Sequence, residues 1–318
     1  MMAGTGPVIS AKSCSPASIA SNWKLLTATV RNAGAPTLGW RTSVSSADNN
    51  PSLLLEMNMN ANRMISTILI AMLCLSMTAC RTGQPQAETR TELTVSAAAS
   101  LKDALTKLKA SYEEQHGDVR IAFNFGSSGT LQQQIEQGAP VDLYISAAQR
   151  QMDALRSKGL VNESPILLRN ELVLIVPKAS GNAVPADLAA LSDTAYNKIA
   201  IGEPDSVPVG TYAEQSLTSL GLWDSLMPKF VYAKDVRQVL SYVETGNVDA
   251  GIVYATDAMT STGVNTAFTI AKETHKPIIY PAAVIKGAEH EEQAEELLAY
   301  LQGTEAASVW TNYGFLLP

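Results

Sequence analysis

Four short stretches of this chain join small or hydroxyl-bearing residues to the first turn of an apolar helical repeat: Ala99-Ser100, Ser127-Ser128, Val209-Gly210 and Asp235-Val236. The chemistry such turns offer is donation. The first N–H groups of a helix have no acceptor inside it and lie at the positive end of its dipole, and a serine hydroxyl adds one more donor. A small anion is the ligand that fits. Locally, a plainer role competes. Ser100, with Asp103 three residues on, matches a helix-capping pattern, and Ser128, Asp205 and Asp235 also suit caps or turns. Position in the chain favours the anion. Two of the turns precede Val176 and two follow it, and in open α/β sheets the carboxyl ends of strands and the N-termini of helices line the ligand crevice. Two lobes facing each other would aim four positive helix ends into one cleft.

The elements that must hold these turns alternate along the chain. Leu93, Thr94 and Val95 are strand-like, and beyond the first turn Leu101, Ala104, Leu105, Leu108 and Tyr112 recur at helical spacing. A strand at 119–125 runs into Gly126-Ser127-Ser128-Gly129-Thr130, and a helix with Leu131 and Ile135 on its apolar side follows as far as Gly138. A strand at 141–146, a helix at 149–158 and a continuous apolar strand at 172–176 complete a first series. The second series has strands at 199–201, 230–232, 250–254 and 278–285. Its helices lie at 211–220, between Asp235 and Gly246, at 289–301 and near 305–313. Strands alternating with helices in this way predict a parallel α/β sheet.

Composition removes other classes. The 318 residues accommodate two ordinary domains, and 46% hydrophobic with 17% charged residues supports a real core. The formal charge is −7 and there is no basic stripe, so nucleic acid is not an expected partner. Gly126-Ser127-Ser128-Gly129 lacks the spacing of a nucleophile elbow. Gly246 and Gly251 are spaced as in a phosphate-binding loop, but Ile252 and Val253 stand where lysine and a hydroxyl residue are needed. His116, His275 and His290 lie far apart in polar stretches, as surface residues would. Neither an enzyme nor a cofactor is expected.

The N-terminal region reads differently. Residues 1–56 carry few charges and no sustained period, as a disordered stretch or an extension upstream of the true start would. Residues 57–79 hold Arg63, a run of about 15 apolar residues and small residues before Cys80. That run is too short to span a bilayer, which takes roughly 20, and makes an export signal. Residues 80–91 form a polar tether. Cys14 and Cys74 fall in the extension and the signal, so the exported part keeps one cysteine, Cys80, and no disulfide.

Two resemblances follow from these residues. Met77-Thr78-Ala79-Cys80 resembles the lipobox of bacterial lipoproteins, which implies lipidation of Cys80 and a membrane anchor. The runs Ala97-Ala98-Ala99-Ser100-Leu101, Gly126-Ser127-Ser128-Gly129-Thr130-Leu131, Gly138-Ala139-Pro140-Val141-Asp142, Val207-Pro208-Val209-Gly210, Asp235-Val236-Arg237, Gly251-Ile252-Val253-Tyr254 and Tyr313-Gly314-Phe315 stand in the order seen in periplasmic molybdate-binding proteins. That resemblance covers 92–318. It implies the substrate-binding subunit of an ABC importer, a monomer that delivers molybdate, usually also tungstate, to a membrane permease. The fold it implies is a two-lobed periplasmic-binding-protein architecture of two three-layer α/β lobes, 92–176 with 277–318 and 177–276, joined by crossing strands at 171–176 and 278–285. It also implies the ligands. Ser100 and Ser128 would give hydroxyl and N–H donors, Val209 and Val236 backbone N–H groups, and Tyr254 its phenol, so that molybdenum is held only as its oxyanion. Relatives usually carry alanine where this chain has Val209. A receptor for another small anion, sulfate or a carboxylate, is the alternative. Taken alone, Tyr254 reads as a half-buried core tyrosine whose hydroxyl is satisfied.

Overall fold

The chain builds one five-stranded sheet pattern twice. The computed structural model describes residues 90–179 and 184–318, with Met64 and Ser66, and residues 83–318 form one unit. Residues 1–56, Cys80 and, apart from Met64 and Ser66, the 57–79 signal lie outside the described residues. The first series runs β1 (Thr91–Ala98), a 3-10 turn (Ala99–Leu101), α1 (Lys102–Gln115), β2 (Val119–Gly126), α2 (Ser128–Glu136), β3 (Leu143–Ile145), α3 (Gln149–Ser157) and β4 (Ile166–Arg169). The second runs β5 (Leu172–Pro177), β6 (Ile199–Gly202), α4 (Pro208–Ser219), α5 (Trp223–Leu226), β7 (Phe230–Ala233), α6 (Val236–Glu244), β8 (Ala250–Tyr254), α7 (Ala255–Met259) and β9 (Val264–Thr269). The chain then returns through β10 (Ile279–Val284), α8 (Glu291–Gln302) and α9 (Thr304–Asn312).

Strand order is β2-β1-β3-β10-β4 in the first sheet and β7-β6-β8-β5-β9 in the second. In each, three parallel strands are followed by a fourth that runs antiparallel to both its neighbours, and that fourth strand is the one that arrives from the other sheet. This is the two-lobed periplasmic-binding-protein fold. The expected strands at 171–176 and 278–285 exist, as β5 and β10. Each lies within a single sheet, however, and the crossings are Asn170-Glu171 and the 270–278 segment. The expected first-lobe segment 92–176 therefore ends too late: β5 is hydrogen-bonded between β8 and β9. Two strands escaped the sequence reading. β4 has only four residues, and β9 exposes Asn265 and Thr266, so neither carries a sustained apolar pattern.

The burial follows the residue pattern. β5 reads Leu-Val-Leu-Ile-Val-Pro and is buried throughout, as a strand covered on both faces must be. α6 buries Val236, Val239, Leu240 and Val243, one apolar stripe that seats its helix on β8 and β6. α4 sits closer still to its strand. Adding a Cβ to Gly210 would bring it within 2.0 Å of the Gly202 carbonyl oxygen and 2.5 Å of its carbon. That closeness brings the first turn of α4 against the end of β6.

Backbone atoms cannot yield as a flexible side chain can, so Gly210→Ala should cost about 1–3 kcal/mol or more. A urea midpoint measures this. Gly117→Ala, whose Cβ would meet open space, serves as the control and should leave the midpoint nearly unchanged.

Candidate anion-binding site

The ends of β1, β2 and β8 and the starts of α2, α4 and α6 line a small cavity between the two sheets. It holds about 210 Å³ of empty space, in which the centre of a water-sized sphere can range over only about 10 Å³. That is room for a group of a few heavy atoms and not for a sugar or a peptide. Ser100, Ser128, Val209, Val236 and Tyr254, the five positions expected from sequence, all line it. All five lie within a residue or two of a helix start, and Tyr254 also closes β8.

Backbone donors come first. Ser128 and Val236 open α2 and α6, and Val209 is the second residue of α4 after Pro208, which has no N–H to offer. First-turn N–H groups have no acceptor inside their helix. Their neighbours are satisfied elsewhere, Gly129 N–H by Ser206 O at 2.9 Å and Gly210 N–H by Val207 O at 2.9 Å. The amides of Ser128, Val209 and Val236 have no such partner among the described residues. Three helix N-termini of roughly +0.5 charge each sum to about +1.5 facing one cavity.

The hydroxyls corrected two expectations. Ser100 does not cap a helix: Leu101 is the N-cap of α1 and makes no side-chain cap. Its Oγ lies instead 3.0 Å from the Tyr280 hydroxyl, and nothing else among the described residues bonds it. Ser128 is not a cap either. Ser127 caps α2, accepting the Thr130 N–H at 3.2 Å, while Ser128 Oγ accepts the Ala147 N–H at 2.9 Å. Asp235 does cap α6, accepting the Gln238 N–H at 2.9 Å; it also borders the cavity.

Tyr254 departs furthest from the plain reading. It is 2% exposed rather than half-buried, and its hydroxyl has no partner among the described residues. Leaving a buried hydroxyl unpaired costs about 1–3 kcal/mol. Burial, with smaller contributions from Tyr280, Tyr212 and Asp257, pushes this phenol well above its ordinary range, so it keeps its proton. The cavity is thus lined with donors that have nothing to donate to.

No lysine or arginine borders the cavity. Two arginines flank it and tie the lobes together. Arg150 on α3 donates to the carbonyls of Pro204 and Asp205 at 3.2 and 2.9 Å. Arg237 on α6 reaches Asp103 at 2.7 Å and the Ser100 carbonyl at 3.3 Å in the first lobe, and pairs with Asp257 at 2.7 Å in its own. The Asp257 contact is an ion pair without good hydrogen-bond alignment, and both carboxylate oxygens lack hydrogen-bond donors. The histidines are half-buried rather than at the surface, and no group of three metal-ligating side chains occurs among the described residues. Sequence reading missed Tyr280 and Asn170, whose part in the site depends on contacts made across the fold.

Known proteins place this geometry in context. Residues 93–316 match a family model described as bacterial extracellular solute-binding protein. The Bacillus subtilis strain 168 protein YvgL, provisionally named an ABC transporter substrate-binding lipoprotein, is 48% identical over 230 residues, 72% of this chain and 87% of its own. The molybdate-binding protein ModA of Escherichia coli K12 is 39% identical over 234 residues, 71% of this chain and 89% of its own. Among solved structures, the periplasmic molybdate-binding protein of Azotobacter vinelandii superposes with a TM-score of 0.65 at 26% identity, covering 71% of this chain and 99% of that one.

Asp257 gives the site a pH signature. Burial pushes its carboxyl from 3.8 up to about 7, against the pull of Arg237 and with help from Asp103 and Asp235. The folded state then holds a proton that the unfolded state releases. The stabilisation is complete below 3.8 and lost as pH rises through about 7. Asp257→Asn cannot lose a proton, so its urea midpoint relative to the parent should improve from mildly acidic pH up to about 7 and level off above it.

Proposed function

Since the chain belongs to the bacterial extracellular solute-binding protein family, we propose that it binds molybdate outside the cytoplasm and delivers it to the permease of an ABC importer. The observation that carries this reading is the Tyr254 hydroxyl, unpartnered among the described residues, in a cavity that three helix starts also line. A dianion satisfies all of these donors at once, and bonds to a charged acceptor are about twice as strong as neutral ones. Ser100 and Ser128 donate their hydroxyls, Val209 and Val236 their amides, and Tyr254 its phenol. Molybdenum enters only as the oxyanion. Tungstate, of like shape and charge, is a second ligand. The protein acts as a monomeric receptor without catalytic residues or a cofactor. The ABC transporter and molybdate-binding names of its relatives support this assignment.

The 39–48% relatives cover most of the chain, and one carries a lipoprotein name. With the short apolar run before Cys80, this supports an exported protein held at a membrane by a lipid on Cys80, the signal at 57–79 being removed and 80–91 serving as tether. Cys80→Ala expressed in a bacterium should stay unprocessed or leave the membrane fraction, as intact mass and fractionation will show. A parent protein cut elsewhere and fully water-soluble refutes the anchor.

Titration calorimetry with molybdate, tungstate, sulfate and phosphate tests the ligand. Molybdate and tungstate should bind and raise the melting temperature, the stabilisation being about 2.7 kcal/mol at one hundred times Kd. Ser128→Ala and Tyr254→Phe each remove a donor to a charged group, worth roughly 1.5–3 kcal/mol. Each should weaken molybdate about tenfold to hundredfold. Parent-like binding by both variants would show that the oxyanion lies elsewhere.

A further inference from the structure

The hydroxyl of Ser100 is not free to choose its role. Tyr280, on β10 and fully buried, brings its hydroxyl within 3.0 Å of Ser100 Oγ. That same hydroxyl receives a bond from Asn170 Nδ2 at 3.1 Å. The orientation of the Asn170 amide is fixed, because its Oδ1 accepts the Glu171 N–H at 2.8 Å while Nδ2 also donates to Thr256 Oγ1 at 2.9 Å. Tyr280 therefore accepts from Asn170 and still has its own proton to place. Buried hydroxyls place their protons on acceptors, and the acceptor in reach is Ser100 Oγ. The Ser100 proton is then left over. Ser100 is 3% exposed and lines the cavity, and its hydroxyl makes no other bond among the described residues.

At the second serine the same polarity is set by the backbone, where the Ala147 N–H donates to Ser128 Oγ. Both serines thus receive a bond from the protein and face the cavity with a proton to give. Nothing in the chemistry of a serine requires this, since a hydroxyl can also accept.

On the oxyanion reading above, we propose that Asn170 and Tyr280 are positioning residues that hold Ser100 as a donor. The site thereby selects oxyanions with no proton of their own over hydrogen phosphate of the same charge. A protonated oxygen placed against Ser100 would meet a proton instead of a lone pair. The relay is anchored on both lobes, since Tyr280 belongs to the first sheet, Thr256 to α7 of the second lobe, and Asn170 to the passage between the sheets. Burial raises the Tyr280 phenol far above its ordinary range, with a contribution from Asp257, so the relay keeps its proton at any working pH.

Tyr280→Phe keeps the ring and removes the donor, freeing a lone pair of Ser100 to accept. Asn170→Ala removes the donor behind it, so that Tyr280 can turn and accept from Ser100. Each variant is compared with the parent by displacement of molybdate with inorganic sulfate and inorganic phosphate, at a mildly alkaline pH where phosphate is the singly protonated dianion. In both variants molybdate should weaken about three- to tenfold, from the loss of one hydrogen bond in the chain. The preference for molybdate over phosphate should narrow about tenfold, while that over sulfate, which carries no proton, stays within about twofold. Equal narrowing for sulfate and phosphate would show a merely loosened pocket and overturn the relay, as would an unchanged phosphate preference in both variants. A parent that binds none of the three anions overturns the molybdate reading and the relay with it.

Discussion

Everything in this fold depends on a mismatch between donors and acceptors in a dry space. The amides of Ser128, Val209 and Val236 are helix-start groups that water would ordinarily satisfy. Here their residues are at most 4% exposed, and the Tyr254 and Ser100 protons share their enclosure. Such donors carry a desolvation cost that no contact within the chain offsets. On the proposed function, an anion accepts from all of them together, and the coupling between ligand and lobes is the difference in its affinity for arrangements that complete the donor set and those that do not.

That coupling demands precise aim, and the repeated sheet supplies it. Each lobe contributes strands whose carboxyl ends meet the start of a helix at the cavity, β1 and β2 in one and β6 with α4 in the other. The fourth strand of each sheet comes from the partner lobe. Where the lobes touch, backbone meets backbone: Gly129 N–H bonds Ser206 O at 2.9 Å, and a Cβ on Gly129 would lie 2.5 Å from that oxygen. No side chain fits there. The arrangement of the lobes therefore rests on main-chain contact here, one residue from Ser128 in the first lobe and three from Val209 in the second.

Most of this framework was legible because strand, small-residue turn and amphipathic helix are all local signals. What the sequence hid were choices made over long distances. Ser100 carries a capping pattern, yet its hydroxyl is taken by a tyrosine 180 residues away, and α1 goes without a side-chain cap. Ser127 and Ser128 look interchangeable until the helix register assigns one to the cap and the other to the cavity. Tyr280 read only as one residue of an apolar strand, since nothing near it in sequence calls for a buried hydroxyl. The crossing points were misjudged by a few residues for a related reason. β5 is apolar from end to end, and periodicity cannot say which sheet will claim such a strand.

On the proposed function, the two arginines explain how a site for a dianion manages without a cation in its lining. Arg150 and Arg237 stand on opposite lobes, and each reaches across to carbonyls or a carboxylate of the other. Pointing either guanidinium into the cavity would strengthen attraction for any anion, including the abundant ones. Turned outward, they hold lobe to lobe through partly exposed contacts, which contribute little each, about 0–1 kcal/mol for an exposed pair. Contacts that weak guide closure without locking it. Discrimination is left to neutral donors of fixed direction, whose strength depends on where the ligand's lone pairs lie and not only on its charge. Placing the charges at the rim and the directional bonds in the cavity separates capture from selection.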